Sequence, residues 1–332
     1  MIKVDIEPLK ADYGDCIFIT VSYDGKEFII MMDSGTARTY SDQDRLRRTT
    51  KDGDLKSKLK QLREDNKRID LLIITHVDDD HIGGVISWFK DQLPPADFVR
   101  RIWMNDDIEV FMSNGLNNTS AQAASLKSLL KGNNIPFDNQ IIKGRTLLFD
   151  WGRMVVLAPL DICHNKIAVK IAGALNNATK DRYDVNIKTL LEEPYTCGNC
   201  TPENKASMAF LLQTKDRENC LLLGDADIDT VMDSLEHTNG ISLPLKCKWV
   251  KLSHHGSKNN FKPKLLEMID AENYIISTNG MRFGHPDKEV IAYLVDKTSA
   301  MLWFNYKERP KKIFTEQDNK DYPDIKERIK FF

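Results

Sequence analysis

The chain has 332 residues, enough for one large α/β domain with insertions or for two domains. Hydrophobic residues at 41% and charged residues at 29% are typical of a globular protein and exclude a disordered or fibrous one. The formal net charge of -2 gives no overall attraction to nucleic acid, although a local basic groove is compatible with it. No apolar run approaches the roughly 20 residues needed to cross a bilayer, and residues 1–5 do not begin a signal peptide. We therefore expect a cytoplasmic protein with no membrane partner.

The N-terminal part predicts strands followed by a helix and another strand. Alternating apolar residues predict paired strands at residues 2–8, 16–23 and 28–32, with a turn at Asp24-Gly25. A charged segment with leucines on one face predicts a helix at residues 55–68, and the apolar run that follows predicts a buried strand at residues 69–74. Gly83-Gly84 are expected to open the next helix, over residues 85–89. This order of elements is typical of an α/β protein.

Strands and helices are also predicted to alternate in the rest of the chain. Strands are predicted at residues 99–104, 146–149, 154–158, 209–214, 220–223, 249–252, 274–277 and 301–306. Helices are predicted at residues 120–131, 228–235, 262–269 and 287–297. Residues 162–205 are polar and rich in Asn and Lys, so we interpret them as an insertion that covers or flanks the functional site of a domain spanning residues 1–306. Residues 307–332 are predicted to be a charged C-terminal surface segment.

Six cysteines are too few and too scattered for a disulfide framework in a chain of this length. Three of them lie in apolar, strand-like contexts that predict buried small side chains: Cys16, Cys220 and Cys247. Cys197 and Cys200 have the spacing of half a structural zinc site, which Cys163 and His164 would complete. The alternative is an incidental pair of reduced thiols.

The most informative segment is the polar turn after the predicted strand at residues 69–74. It contains His76, Asp78, Asp80 and His81, which supply two imidazoles and two carboxylates. A tight turn between a strand and a helix lets neighbouring side chains converge, because they need not alternate between faces. An acidic loop with incidental histidines is the alternative. Two of the seven histidines within six residues, interleaved with carboxylates, favour the beginning of two adjacent metal sites.

Three further polar turns follow apolar strands in the second half. The first presents Asp225 at a strand end, where a carboxylate can bridge two cations, while Asp227 is expected to cap the next helix. The second contains His254 and His255, and the third contains His285. Each turn has an alternative interpretation as a cap, a surface pair or a simple turn. Their order along the chain, each after a strand, favours a shared function.

Together these motifs resemble those of the metallo-β-lactamase-fold hydrolases, and most of all the branch typified by the soluble hydrolase-like domain of bacterial competence (DNA-uptake) channel proteins. The resemblance spans about residues 1 to 295 and rests on Gly14-Asp15, Asp33-Ser34-Gly35, His76 to Gly84, Asn204-Lys205-Ala206-Ser207, Leu223-Gly224-Asp225, His254 to Ser257 and Gly284-His285-Pro286. It implies an α/β fold of the α+β kind, a four-layer αβ/βα sandwich with two mixed sheets and outer helices. It also implies a dinuclear metal site at the edge where the sheets meet.

The resemblance further implies a role for each motif. The implied metal ligands are His76 and Asp78 for the first ion, Asp80 and His81 for the second, Asp225 as the bridge, and His254 or His255 to complete the second site. The predicted catalytic residues are Asp80, His254, His255 and His285. Residues expected to orient ligands or contact substrate are Asp33, Asn204, Ser207, Lys251 and Ser257.

The sequence departs from the common family pattern in two places. Position 78 is Asp where many members have His, and residues 204–207 replace the usual third-motif histidine. His164 is the one histidine in the interval that could take that role, so the third ligand is His164, Asn204 or none. An oxygen-rich first site shifts metal preference from zinc toward manganese or magnesium, and all three stay open.

Two cations about 3.5 to 4 Å apart can share a hydroxide and lower the pKa of water from 15.7 toward 7. The resemblance favours a phosphodiesterase, more specifically a nuclease, with nucleic acid or another phosphodiester as its partner. Lys251 and Lys258 suit an anionic substrate. One alternative is a hydrolase of lactones or other acyl esters, and another is a non-catalytic binding or regulatory protein that keeps metal for structure.

Overall fold

The computed structural model describes residues 1–44, 49–95, 97–105, 126–160 and 181–332. Within these residues the chain forms two compact units, the first comprising residues 1–141 and the second residues 142–160 and 181–332. Both units combine helices with a mixed β-sheet, so the predicted α/β class and the two mixed sheets are confirmed. No helix among the described residues is long and apolar enough to cross a membrane.

The first unit is built on a five-stranded sheet. Its strands are β1 (Lys3–Pro8), β2 (Ile17–Tyr23), β3 (Lys26–Met32), β6 (Leu71–Ile74) and β7 (Ile102–Met104), in that spatial order. A separate hairpin consists of β4 (Ser41–Asp44) and β5 (Thr49–Asp52). The helices are α1 (Ala37–Tyr40), α2 (Asp54–Glu64) and α3 (Asp79–Asp91), and residues 126–132 are also helical. The first three strands are antiparallel, and β6 and β7 join them in parallel.

Local sequence explains the elements of this unit. Asp24 and Gly25 both have positive φ, at 47° and 72°, which a two-residue hairpin between right-twisted strands requires. All four residues of β6 are buried, as is typical of an internal parallel strand. The leucines that predict α2 are buried, and they share one apolar cluster with Val85 and Phe89 of α3.

Helix α3 begins at Asp79, so the prediction that the glycine pair opens it was wrong. Gly83 and Gly84 lie inside the helix and are buried. A Cβ on Gly84 would lie 2.1 Å from the carbonyl oxygen of Ser34, and one on Gly83 would lie 2.6 Å from the nitrogen of Ala37. The glycines therefore permit a close backbone approach, and the helix begins early enough to include Asp80 and His81 in its first turn.

The second unit is built on an eight-stranded sheet. Its strands, in spatial and chain order, are β8 (Thr146–Phe149), β9 (Gly152–Ala158), β10 (Ala209–Thr214), β11 (Asn219–Leu222), β12 (Leu245–Lys251), β13 (Ile269–Ile276), β14 (Met301–Phe304) and β15 (Ile329–Phe331). The helices are α4 (Ile187–Glu192), α5 (Pro202–Lys205), α6 (Ile228–His237), α7 (Leu265–Met268), α8 (Lys288–Lys297), α9 (Arg309–Ile313), α10 (Glu316–Asp321) and α11 (Ile325–Arg328). Two 3₁₀ turns cover Ser253–Gly256 and Lys258–Asn260.

The direction of these strands positions the polar turns of the second unit. Strands β8 to β11 are antiparallel, whereas β11 to β15 run parallel to one another. Parallel strands have their carboxyl ends at the same edge of a sheet. Asp225 follows β11 and the pair His254-His255 follows β12, so these side chains lie at one edge.

The C-terminal residues, predicted to be a charged surface segment, instead add three helices and the edge strand β15 to the second unit. Ile313 and Ile325 are buried in its apolar core. Lys288 Nζ donates to Asp318 Oδ2 at 2.6 Å, and both side chains are fully buried. Apolar residues are few in this charged segment, so its sequence does not indicate that these two isoleucines pack in the core.

The region predicted to be an insertion is described from residue 181 onward. Ile187 and Leu190 of α4 are buried in the core of the second unit, so this part contributes to packing. The other part of the predicted insertion, including Cys163 and His164, lies outside the described residues.

Candidate functional site

A buried carboxylate, Asp33, fixes the polar turn of the first unit. Its Oδ1 accepts a hydrogen bond from the Thr75 amide at 2.8 Å, and its Oδ2 lies 2.8 Å from Nδ1 of His81. Because a carboxylate accepts in this contact, His81 carries its ring proton on Nδ1. The lone pair is then on Nε2, which is the nitrogen that His81 can offer to a metal ion.

The same carboxylate orients His76 through the hydroxyl of Thr75. Thr75 Oγ1 donates its one proton to Asp33 Oδ2 at 2.7 Å, so it accepts from His76 Nδ1 at 3.0 Å. The lone pair of His76 is therefore also on Nε2. The ring centroids of His76 and His81 are 4.1 Å apart. Asp33 thus orients two imidazoles at once.

Three carboxylates accompany these imidazoles in the first unit. Asp78 Oδ2 lies 3.6 Å from His76 Nε2, and Asp80 is buried in the first turn of α3. Asp15, which the sequence placed in a motif but not among the ligands, is fully buried, and its amide donates to the Asp80 carbonyl at 3.2 Å. One of its carboxylate oxygens lies within 4.8 Å of a ring nitrogen of His81. Asp15 therefore joins the candidate ligands.

Gly14 permits the contact between the Asp15 segment and the ligand turn. A Cβ at this position would lie 1.9 Å from the Asp80 carbonyl oxygen. We expect Gly14→Ala to lower the free energy of unfolding by about 1–3 kcal/mol, measured by chemical denaturation, because one of the two segments has to move. Gly132→Ala is the matched control, since nothing lies within 4 Å of its added Cβ. Equal stability of the two variants would contradict the expectation.

In the second unit, the backbone of Asp225 is held from both sides. Its amide donates to Ser207 Oγ at 3.0 Å, and its carbonyl accepts from Asn260 Nδ2 at 2.8 Å. Asp227 Oδ2 accepts from the Thr230 amide at 3.1 Å, so the prediction that Asp227 caps the following helix is confirmed. The Asp225 carboxylate, which is buried, is therefore not the helix cap.

The histidine pair occupies an unusual backbone conformation. His254 and His255 have φ values of 46° and 56°, in the left-handed region that residues with a Cβ rarely adopt. His255 Nδ1 lies 2.9 Å from the Ser277 carbonyl oxygen, which only accepts, so the lone pair of His255 is on Nε2. Nε2 of His254 and Nε2 of His255 lie 3.7 Å and 3.8 Å from Asp225 Oδ2. Both imidazoles thus converge on one carboxylate.

His254 and His285 are neighbours with different surroundings. Burial lowers the pKa of His254 to about 4, against the opposing charge of Asp225 and with further lowering by His285. The imidazole of His254 is therefore neutral near pH 7, the form that binds metal. The ring centroids of His254 and His285 are 5.0 Å apart, and His285 Nδ1 lies 3.5 Å from Asp287 Oδ2.

The remaining predicted site residues of the second unit have varied contacts. Asn204 Nδ2 lies 3.1 Å from His254 Nδ1, and Ser207 holds Asp225 as described above. Lys251 is buried, and its Nζ donates to the Gly224 carbonyl at 3.2 Å. Ser257 is buried, and its Oγ accepts from the Asn259 amide at 3.4 Å. Ser207 and Lys251 therefore contact the backbone of the Asp225 turn.

The cysteines follow two patterns. Cys16, Cys220 and Cys247 are buried, which confirms their prediction as small core residues. Cys197 Sγ lies 3.4 Å from the Asn259 carbonyl oxygen, and Cys200 Sγ accepts from Asn260 Nδ2 at 3.4 Å. In the part of the chain that the structure describes, neither belongs to a group of three or more potential metal ligands.

Part of the first unit matches a known protein family. Residues 9–131 match the family model of the metallo-beta-lactamase superfamily. The chain is also similar to a solved structure of the metallo-beta-lactamase IND-7, with 14% identity and a TM-score of 0.20, over 46% of this chain and 59% of that one. No curated protein matches the chain. The superfamily that this match describes consists mostly of metal-dependent hydrolases.

Proposed function

We propose that this protein is a metal-dependent phosphodiesterase, more specifically a nuclease, that binds two divalent ions. The observation that most supports metal binding is the hydrogen bonding of the imidazoles. His76 and His81 in the first unit, and His255 in the second, have Nδ1 hydrogen-bonded and therefore present Nε2 near carboxylates. A surface histidine has no need of such support, whereas a metal-binding one almost always has it.

The donor set fits divalent ions. Each unit offers neutral imidazole nitrogen and carboxylate oxygen, which suits zinc and manganese. The proposed ligands are Asp15, His76, Asp78, Asp80 and His81 of the first unit, and Asp225, His254 and His255 of the second. With four of these being carboxylates, manganese or magnesium becomes more favourable relative to zinc.

When bound, the ions polarise the phosphoryl group and make water more acidic. The side chains then carry out the proton transfers. We assign Asp80 as the acceptor of the proton from the attacking water as its oxygen bonds to phosphorus. His285 donates a proton to the leaving oxygen as the second phosphorus–oxygen bond breaks. Asp287, whose Oδ2 lies 3.5 Å from His285 Nδ1, is placed to orient that imidazole.

The loop before His285 favours a phosphodiester over a lactone. Arg282 is exposed, and its guanidinium carbon lies 4.9 Å from the ring centroid of Phe283. The Phe283 ring in turn stacks on His285, with centroids 6.1 Å apart and an interplanar angle of 29°. A guanidinium next to an aromatic face suits a phosphate next to a nucleobase. The sequence signal for this contact is the Arg-Phe pair directly before Gly-His-Pro, which was not among the predicted site residues.

The test is a substrate panel with the purified protein. Single-stranded DNA, RNA, bis-p-nitrophenyl phosphate and a set of lactones are each incubated with manganese, zinc or magnesium. We expect metal-dependent cleavage of phosphodiesters.

We expect Arg282→Ala to raise KM for the nucleic acids about tenfold while kcat changes little. The reason is that the loss of one charge-assisted contact to phosphate weakens substrate binding by about that factor. Arg100→Ala, which removes an exposed arginine of the first unit, should leave KM unchanged.

Other outcomes would assign a different function. Cleavage of lactones without turnover of any phosphodiester would reject the nuclease proposal in favour of an acyl hydrolase. Stoichiometric metal with no turnover of any substrate would instead indicate a metal-stabilised binding or regulatory protein.

A further inference from the structure

We propose that Asn260 is a positioning residue that fixes the ring proton of His254 and so determines which nitrogen His254 presents beside Asp225. The inference rests on the proposed function only in giving His254 a metal ion to bind. The hydrogen bonding that carries it lies entirely within the second unit.

The orientation of the Asn260 amide follows from its neighbours. Asn260 ends the second 3₁₀ turn and is 2% exposed. Its Nδ2 donates to the Asp225 carbonyl at 2.8 Å and lies 3.3 Å from the Ala226 carbonyl. A carbonyl oxygen only accepts hydrogen bonds, so the nitrogen of the amide has to face these two groups. Oδ1 therefore points to the other side.

The other side is His254. Oδ1 of Asn260 lies 2.9 Å from Nδ1 of His254, and an amide oxygen only accepts. His254 must then carry its proton on Nδ1, with the lone pair on Nε2, the nitrogen 3.7 Å from Asp225 Oδ2. Asn204 also approaches Nδ1, at 3.1 Å, but a nitrogen that already donates to Asn260 cannot accept from Asn204. Asn260, and not Asn204, therefore sets the tautomer.

One side chain thus connects two proposed ligands. It holds the backbone of Asp225 through Nδ2 and the ring of His254 through Oδ1. Without it, the nearby Asp225 carboxylate would attract the His254 proton to Nε2 and remove the lone pair that a metal ion needs. The role is the counterpart in the second unit of the one that Asp33 has in the first.

The experiment reads the tautomer of His254 directly. Long-range ¹H–¹⁵N spectra of the metal-free protein distinguish Nδ1–H from Nε2–H, and His254→Gln assigns the signals. We expect Nδ1–H in the wild type, a shift toward Nε2–H in Asn260→Ala, and return to Nδ1–H in Asn260→Asp, whose carboxylate still accepts from Nδ1. We also expect Asn260→Ala to weaken manganese and zinc binding about 10–100-fold in titrations with the metal alone.

Asn259→Ala is the matched control, because it removes the neighbouring asparagine, whose Oδ1 accepts from the Gly198 amide. It should leave both the tautomer and the metal affinity as in the wild type, and Asn204→Ala should leave the tautomer unchanged. A proton on Nε2 in the wild type would overturn the proposal, even if Asn260→Ala failed to fold. An equal shift in Asn259→Ala would also overturn it, by indicating a general disturbance of the turn.

These results are separable from the fate of the proposed function. If the wild type has Nδ1–H and binds metal but hydrolyses nothing, the nuclease proposal fails while the role of Asn260 stands. If the wild type cleaves phosphodiesters but Asn260→Ala keeps Nδ1–H, the role of Asn260 fails alone.

Discussion

Asp33→Asn is expected to weaken metal binding by about 100-fold while the protein stays folded. The amide group is similar in size to the carboxylate and tolerates the left-handed φ of 58° at this position. Its nitrogen, however, would face His81 Nδ1 and Thr75 Oγ1, where the carboxylate now accepts. His81 has to move its proton to Nε2, and Thr75 then donates to His76, which reverses that imidazole too. The effect is at the upper end of the 10–100-fold known for supporting residues, because two ligands change together.

Metal content after dialysis against manganese or zinc measures this effect, with circular dichroism to verify folding. Asp12→Asn is the matched control, since Asp12 also has a left-handed φ, at 61°, but its carboxylate bonds Thr36 and Arg38. Metal content that is retained in Asp33→Asn would contradict the expectation, and an equal loss in Asp12→Asn would indicate a general disturbance instead of a role of Asp33 in the tautomers.

Asp225→Asn is expected to abolish most of the hydrolysis, lowering kcat/KM at least about 100-fold, because a ligand should matter more than the residues that support it. The backbone at this position is held by Ser207 and Asn260, so the substitution changes the side-chain charge and not the turn. His254 Nε2 and His255 Nε2, at 3.7 Å and 3.8 Å, would then lie beside a neutral group. Steady-state kinetics on whichever substrate the panel identifies measure the loss, and metal analysis shows whether ions are lost with it.

Asp227→Asn provides the comparison for that experiment. Asp227 stands two residues away but caps a helix through the Thr230 amide, and Asn caps helices as well as Asp does. Its stability, metal content and activity should be those of the wild type. If the two variants lost activity to the same extent, the assignment of Asp225 would fall, and the turn as a whole would be the sensitive feature.

The sequence was sufficient for much of the secondary structure. Strands β8 and β10 have the predicted bounds, because alternation and turn residues mark their ends. The start of α3 could not be predicted, since the glycine pair suggests a helix end and its real cause, the approach of residues 34–37, is tertiary. The packed C-terminal helices were missed for the same reason, because two buried isoleucines in a charged segment have no visible periodicity.

The site divides in the same way. Clusters of His and Asp after strands are local signals in the sequence. They identify His76, His81 and His255, whose hydrogen bonds the structure then describes. Asn260 and Asp15 were not predicted to be part of the site, because an isolated amide or carboxylate gains a role only from the carbonyls and rings that the fold brings to it. Lys251 was expected to attract substrate, yet a strand position inside the sheet buries it beneath the Gly224 carbonyl.

The left-handed backbone at His254 and His255 has a consequence for anyone who engineers this protein. A residue with a Cβ in that conformation costs about 1–2 kcal/mol, and glycine removes the steric part of the cost. Selecting variants for heat resistance alone would therefore favour glycine at the partly exposed His254 and discard its imidazole, whereas at the fully buried His255 the cavity left by glycine opposes the gain. The turn is a place where thermostability and activity oppose each other, and a library built for one should be screened for the other.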